Sequence, residues 1–500
     1  MTPPVREHAV DPIEFAAYLA CREEAWLARR SPPAVPPTRV GEHALAERDR
    51  LGQLAREFLV SADAVALFGE AGSLTFGERF HVRGRWTCRA HAVFRPVSGG
   101  PLTLVTFDDG AAGDDPTRLV DVAFRRFVLT AAGAAVGNCG VLVVRRDFRQ
   151  EGAHAHAERQ LDYRDVTAAL YSRPAGSDES YADFVVREGL EAPAFLNGPA
   201  PPAWAYTSCA NRSRCRWLQR SVELPEYSVF DVPGLSTGQL DVLLSARVLD
   251  ARDVPDYAPL DARQRRWVEA VHRGELGCDR RELASRLARL RYPLCVLSLT
   301  TDRPRVTAGS GGRSREAVPI LSSVHVVDAP GGTPRHLACS VRGVSDDHLA
   351  FLAQLAARSG AGEGSLVVWG SAAVRQALRV LAEARPRQKP ALAKLCARTW
   401  DLAALLRDGV VEVPALRGCY RPGVALRLLL PEAGVAYAEP AIADAASARH
   451  VWSELEAGVI EGVEADEAAA DLRAYAASVS GGMASLVEWI TQEFGTSAPA

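Results

Sequence analysis

The chain has 500 residues, 48% of them hydrophobic and 24% charged, with a formal net charge of -3. This length exceeds one ordinary hydrophobic core and predicts two or three domains, while the composition is that of a soluble globular protein. A net charge near zero excludes a chain-wide basic signature for nucleic acid, although local basic patches remain open.

The residues before Asp11 are too polar for a signal peptide, and no run of about 18 apolar residues occurs, so we expect no membrane span and a cytoplasmic protein. The ten Cys residues are scattered along the chain, which is not typical of a secreted disulfide framework.

Amphipathic spacing predicts helices over residues 11–29 and 41–60 at the start of the chain, separated by a Pro-rich break. The runs that follow predict strands near 80–82, 87–94 and 102–107, a helix over 117–132 and a strand at 140–144. Three strands, a helix and a further strand behind a helical lead-in predict an α/β core.

Residues 223–289 predict short helices, two of which, over 260–273 and 280–290, are strongly Arg-rich. We interpret this region as a small helical connector between two larger domains, which span residues 1–222 and 290–500.

The apolar run from Leu294 to Leu299 predicts a buried strand that opens the last domain. Further strands are expected at 320–327, 336–341 and 365–369, and helices at 346–359, 372–384, 388–407, 444–457 and 466–494. A hairpin-like start of three strands, followed by alternating strands and helices, is compatible with an RNase-H-like sheet.

Three stretches in this order, 228–235, 260–275 and 290–294, carry a resemblance to a known family. The chain resembles the domain-of-unknown-function 2779 family, whose members join a RecB-like PD-(D/E)XK nuclease domain to a DEDD-type exonuclease domain. The resemblance covers nearly the whole chain. It implies a restriction-endonuclease-like (RecB-like) α/β domain over 1–222 and an RNase-H-like α/β domain over 290–500, on either side of the connector.

The resemblance also implies that the C-terminal active site is degenerate. Family members continue the opening strand with Leu-Asp-Phe-Glu-Thr, whose two acids hold divalent metal, whereas this chain reads Leu297-Ser298-Leu299-Thr300-Thr301. One remaining carboxylate cannot hold two divalent ions, so magnesium binding is not expected. The degenerate positions are Ser298, Thr300, Ala373 and Val479, and the retained residues are Asp401 and Tyr475.

The N-terminal site departs from the family in the same way. A PD-(D/E)XK site needs an Asp on one strand and Glu-x-Lys on the next, and here His91, Thr106 and Asp108 occupy those positions. The helix that follows carries Arg125 where Gln is usual. A rearranged site using His91 and Asp108 stays open, beside the interpretation of His91 as a hydrogen-bonded strand residue.

RecB-like domains of this kind often hold an iron–sulphur cluster on four Cys residues. The resemblance assigns three of these positions to Cys21, Cys209 and Cys215, and the fourth falls on or near Ser221. Two interpretations stay open: the three thiols hold a remnant iron–sulphur or zinc site, or they bind no metal.

The favoured hypothesis is a catalytically inactive pseudonuclease, acting as a scaffold or a nucleic-acid-binding subunit beside another protein in a DNA- or RNA-processing or defence complex. In this hypothesis, arginines of the connector would contact the phosphates of the nucleic acid. The alternative is that these arginines lie on solvated helix faces and pair with acidic side chains. The residues concerned are Arg263, Arg265, Arg266, Arg280 and Arg281.

Two alternatives remain. The first is a divalent-metal-dependent nuclease with shifted ligands, and the second is a purely structural partner protein without a nucleic-acid role. The shifted ligands would be His91, Asp108, Asp109, Asp121 and Asp401.

Overall fold

The computed structural model shows a mixed α/β protein that divides into two compact units. The first contains the described residues up to 201 together with Trp217, and the second contains those from 223 onward. The connector residues 223–289 therefore belong to the same unit as the C-terminal residues. The structure describes residues 8–31, 39–61, 67–69, 71–107, 115–145, 148, 160–201, 217, 223–302, 317–341, 364–384, 386–431 and 441–495.

The first unit begins with helices α1 (Pro12–Ala20), α2 (Arg22–Arg30) and α3 (Arg39–Val60). Asp11 starts α1 with a capping box, in which its carboxylate accepts from the Glu14 backbone N–H and Glu14 accepts in return. The sequence predicts one helix over 11–29. The chain instead breaks at Cys21, whose extended backbone ends α1 and starts α2.

The strands of this unit form a mixed sheet and a separate hairpin. They are β1 (Gly72–Phe76), β2 (Arg79–Val82), β3 (Trp86–Arg89), β4 (Ala92–Pro96), β5 (Leu102–Phe107), β6 (Val136–Val144) and β7 (Leu161–Asp165). The sheet order is β1-β4-β5-β6-β7, in which β5 and β6 are parallel and the other neighbours antiparallel, while β2 pairs with β3. Helix α4 (Pro116–Ala131) supplies the crossover that a parallel pair requires.

Helices cover both faces of this sheet. Helices α1, α4 and α6 (Tyr181–Asn197) share one core, in which the rings of Phe15 and Phe124 stack with centroids 4.2 Å apart. Helix α3 covers the other face with Leu51 and Phe58. The short helix α5 (Thr167–Leu170) precedes α6.

The second unit opens with the connector helices α7 (Thr237–Ser245), α8 (Ala262–Arg273) and α9 (Arg280–Leu287). Between α8 and α9, the short strand β8 (Gly277–Cys278) pairs with the later strand β14 (Val411–Glu412), which ties the connector to the rest of this unit.

The main sheet of this unit contains β9 (Leu294–Asp302), β10 (Val318–Val327), β11 (Arg335–Val341), β12 (Leu366–Val368) and β13 (Thr399–Asp401). Its order is β11-β10-β9-β12-β13. Strand β10 runs antiparallel to its neighbours β9 and β11, whereas β12 and β13 run parallel to β9. The opening strand of the sequence prediction is therefore the central strand of the sheet.

Helices pack on both faces of this sheet as well. They are α10 (Ser371–Ala384), α11 (Lys389–Ala397), α12 (Leu402–Arg407), α13 (Pro422–Leu429), α14 (Ala445–Glu456) and α15 (Gly462–Gly495). Alternate residues of β9 point to opposite faces. Leu294 and Val296 join a core with α15, whereas Leu297 joins a core with α10 and α11.

One helix prediction was wrong in this unit. The sequence predicts a single helix over 388–407, but Thr399–Asp401 form the strand β13 beside β12 and divide that helix into α11 and α12. The predicted helix at 346–359 lies outside the described residues. None of the described helices has the length and apolar character required to cross a membrane.

Candidate functional site

The two positions of the opening strand at which the resemblance expects metal-binding acids lie in the interior of the second unit. Ser298 and Thr300 are 8% and 6% exposed on the central strand β9. By the two-residue period of a strand, they share the face of Val296. That face packs against α15 in a hydrophobic core that includes Tyr475 and Val479, each 3% exposed.

A hydrogen-bonded network of hydroxyl and imidazole groups occupies this face beside Ser298. Ser323 of β10 lies directly opposite Ser298 in the sheet register. The Oγ atom of Ser480, in α15, lies 2.9 Å from Oγ of Ser323 and 2.9 Å from Nδ1 of His325. Ser323 Oγ in turn lies 3.1 Å from Nε2 of His336 in β11. Both hydroxyls are fully buried.

The half-buried imidazole of His325 is uncharged near neutral pH. Burial and the neighbouring His336 ring lower the pKa of His325 to about 4. The close approach of α15 depends on Gly481, because a Cβ there would lie 3.2 Å from Nε2 of His325. Hard divalent cations need several charged oxygen ligands, so the residues of this face do not fit a pair of such ions.

The retained acid Asp401 has a structural partner at the start of α10. Its Oδ1 accepts from the Gly370 N–H at 2.9 Å and its Oδ2 from the Ser371 N–H at 2.8 Å, with Arg407 Nη2 at 3.4 Å from Oδ2. Although burial acts to raise the pKa of Asp401, these backbone N–H groups and Arg407 hold it below its usual value. Ala373 lies exposed in the first turn of α10.

The structure describes two of the predicted N-terminal site positions, His91 and Thr106. His91 lies just before β4 and is half-buried, and its Nδ1 accepts from the Phe107 N–H at 3.1 Å while its ring stacks on Phe107. Thr106 of β5 is 1% exposed, with Oγ1 at 3.5 Å from the Gly140 carbonyl oxygen. Asp108 and Asp109 lie outside the described residues.

The carboxylate of Asp121 in α4 is paired within its own helix. Arg125 Nε lies 2.8 Å from Asp121 Oδ2, and Arg125 Nη1 donates to the Arg89 carbonyl at 2.7 Å. The position at which the resemblance expects Gln thus holds a buried guanidinium that joins α4 to β3.

Of the three predicted cluster thiols, the structure describes Cys21, while Cys209 and Cys215 lie outside the described residues. Cys21 is half-buried, with Sγ 3.5 Å from Oε2 of Glu23. Trp217 donates its backbone N–H to Glu24 at 2.9 Å and packs edge-on against Trp26. Within the described part of the chain, no group of three His, Cys, Asp or Glu residues is placed to hold a metal ion.

The five predicted connector arginines fall into two groups. Arg263 forms a 2.6 Å ion pair with the buried Glu412. Arg265 donates to the carbonyls of residues 256 and 258, and Arg266 donates to the Gly409 carbonyl and lies 3.4 Å from Asp279. Arg280 and Arg281 are exposed at the start of α9 and form no ion pair with another described residue.

In this mixed α/β protein, the positions at which the resemblance expects metal-binding acids are occupied by hydroxyl and apolar side chains, most of them buried, and by the half-buried His91. Residues 302–421 match the family model described as Domain of unknown function (DUF2779). This match supports the resemblance for that segment, which is less than half of the chain. No curated protein and no solved structure matches the chain.

Proposed function

We propose that this protein is a catalytically inactive pseudonuclease that binds nucleic acid, as a scaffold or sensing subunit of a DNA- or RNA-processing or defence complex. The proposal includes a RecB-like nuclease fold for residues 1–222 and an RNase-H-like nuclease fold for residues 290–500.

The strand arrangement supports the RNase-H-like part. An antiparallel set of three strands, β11-β10-β9, is extended by the parallel strands β12 and β13, with helices on both faces. For the RecB-like part, the support is an antiparallel pair, β4 and β5, followed by a helical crossover to the parallel strand β6. A fold alone does not assign an activity, so the activity has to be inferred from the residues of the site.

One observation supports the proposed lack of catalysis. Ser298, Thr300 and Val479 are all buried, and none of them can supply a charged oxygen to a metal ion. The binding part of the proposal rests on the family resemblance and on the exposed cations of the second unit that form no ion pair with another described residue, among which are Arg280 and Arg281.

The test is a cleavage and binding assay with labelled single- and double-stranded DNA and RNA, in the presence of Mg²⁺ or Mn²⁺. We expect no cleavage and salt-sensitive binding. Cleavage that disappears in Asp108→Ala or in Asp401→Ala would support the rearranged nuclease instead. Circular dichroism of each variant controls for loss of folding, because Asp401 also holds the start of α10. A protein that neither cleaves nor binds would support the purely structural role.

A further inference from the structure

The helical hairpin α10–α11 has an unusual concentration of positive charge. Residues 371–398 contain seven Arg or Lys residues and one acid, Glu383, giving a formal charge of +6 in a chain whose net charge is -3. Both Lys residues of the whole sequence, Lys389 and Lys394, lie in this segment. The connector also contains many Arg residues, but acids accompany them.

Apolar side chains of this hairpin face the core, whereas most of its charged side chains lie on the outer surface. Val374, Leu378, Leu392 and Leu395 pack into the core on one face of the main sheet. The cationic side chains on the outer surface are exposed and form no ion pair with another described residue. They are Arg375, Arg379, Arg387, Lys389 and Lys394.

This arrangement is unfavourable without a counter-charge. Arg375 and Arg379 are one helical turn apart on α10, and like charges at this spacing destabilise a helix. Most arginines of the connector pair with a carboxylate or donate to a backbone carbonyl of the same unit, as Arg263 pairs with Glu412. Arg379 donates to the Arg375 carbonyl at 3.3 Å, but none of the five exposed cations of the hairpin has a carboxylate partner among the described residues. A polyanion from outside would supply that counter-charge.

The chemistry of the surface favours nucleic acid over an acidic protein. Protein interfaces are centred on large apolar or aromatic side chains, and the exposed large hydrophobic residues of the described chain include none from the hairpin. Without exposed aromatic residues the surface also lacks stacking platforms for bases. Its contacts are therefore with phosphates, which position a strand without reading its sequence.

We propose that the outer surface of the α10–α11 hairpin is the phosphate-binding surface of this protein and holds a nucleic acid strand without sequence specificity. The inference rests on the nucleic-acid binding proposed above and assigns it a place different from the connector. Ala373, the degenerate position in the first turn of α10, lies at one end of this surface.

The test compares two matched pairs of exposed arginines in the same unit. Binding of a labelled DNA duplex by the full-length protein is measured over a salt series for wild type, Arg375→Gln/Arg379→Gln and Arg280→Gln/Arg281→Gln. Each lost phosphate contact lowers the magnitude of the log–log salt slope by about 0.9, so the hairpin pair is expected to lower it by about 2 and the connector pair by less. Adding Lys389→Gln and Lys394→Gln to the hairpin pair is expected to weaken binding on the order of 100-fold.

Two different failures can be told apart. If wild type binds no nucleic acid, the binding part of the proposed function is overturned together with this inference. If wild type binds but the hairpin variants keep its affinity and salt slope, the inference alone is overturned. Polyglutamate is the second probe, and binding as tight as that of DNA would contradict the assignment to nucleic acid. The substituted side chains are exposed, and circular dichroism checks that the variants fold.

Discussion

The connector helices α8 and α9 and the hairpin α10–α11 are both rich in arginine, yet their charges have different surroundings. Arg263 of the connector is held by the buried Glu412, and Arg286 by Glu282 and Asp408. Arg375 and Arg379 of the hairpin face solvent without a carboxylate partner among the described residues. The number of cations in a segment therefore does not indicate a ligand surface, because the acids that the fold brings to them decide their role.

The largest expected effect concerns the connector. Arg263→Ala leaves the Glu412 carboxylate buried without its guanidinium, and we expect a loss of about 3 kcal/mol in the free energy of unfolding at pH 8. Burial already raises the pKa of Glu412, so the variant takes up a proton there more readily, and its deficit is expected to shrink at pH 5.

Urea denaturation at the two pH values measures this difference. Arg375→Ala in the hairpin is the matched control and is expected to change stability by less than about 0.5 kcal/mol. Equal losses in the two variants would remove the distinction between the two regions.

The second effect concerns His325, whose imidazole is neutral in the folded protein near pH 7. His325 has a pKa of about 4 in the folded protein, against about 6.5 when unfolded. Between pH 6.5 and pH 4, the His325 side chain binds a proton in the unfolded chain but not in the folded chain. Its contribution to the free energy of unfolding is therefore fully present above pH 6.5 and is lost as the pH falls towards 4. We expect about 3 kcal/mol of stability to be lost from this residue over that range.

The measurement is the free energy of unfolding of wild type and His325→Gln across pH 4 to 7. Other acids titrate in both proteins, so the difference between the two curves isolates His325. Parallel curves would contradict the low pKa and the closed network around Ser480.

A smaller effect is expected at the retained acid. Asp401→Ala removes the acceptor for the Gly370 and Ser371 N–H groups and is expected to cost about 1 to 2 kcal/mol, as the loss of a helix cap does. Asp401→Asn keeps one acceptor oxygen and should recover part of this loss. Because the folded-state pKa of Asp401 is lowered, its contribution is present above the unfolded value near 3.9 and is lost as the pH falls further.

Thermal unfolding of the three proteins at pH 7 measures the effect of Asp401. No difference in stability, together with loss of a metal-dependent activity in Asp401→Ala, would identify Asp401 as a ligand and remove its structural role.

The sequence predicted the strand that carries Ser298 and Thr300, because an apolar run rich in β-formers is a local signal. It did not predict that Ser323, His325 and Ser480 would meet beside Ser298, since strand register and the approach of α15 at Gly481 are long-range features.

The interruption of the predicted helix over 388–407 has the same cause. Thr399–Asp401 is too short to be recognised as a strand, and its pairing with β12 overrides the helical pattern on both sides. The role of Asp401 likewise depends on backbone N–H groups about 30 positions earlier in the chain.

The most direct test of the central claim is a Mn²⁺ titration of the full-length protein followed by electron paramagnetic resonance, with a DNA and RNA cleavage assay on the same sample. The buried hydroxyl and apolar groups at residues 298, 300 and 479 predict no stoichiometric Mn²⁺ binding at that site and no cleavage. Two spin-coupled Mn²⁺ ions per chain, with nuclease activity that is lost in Asp401→Ala, would contradict the account.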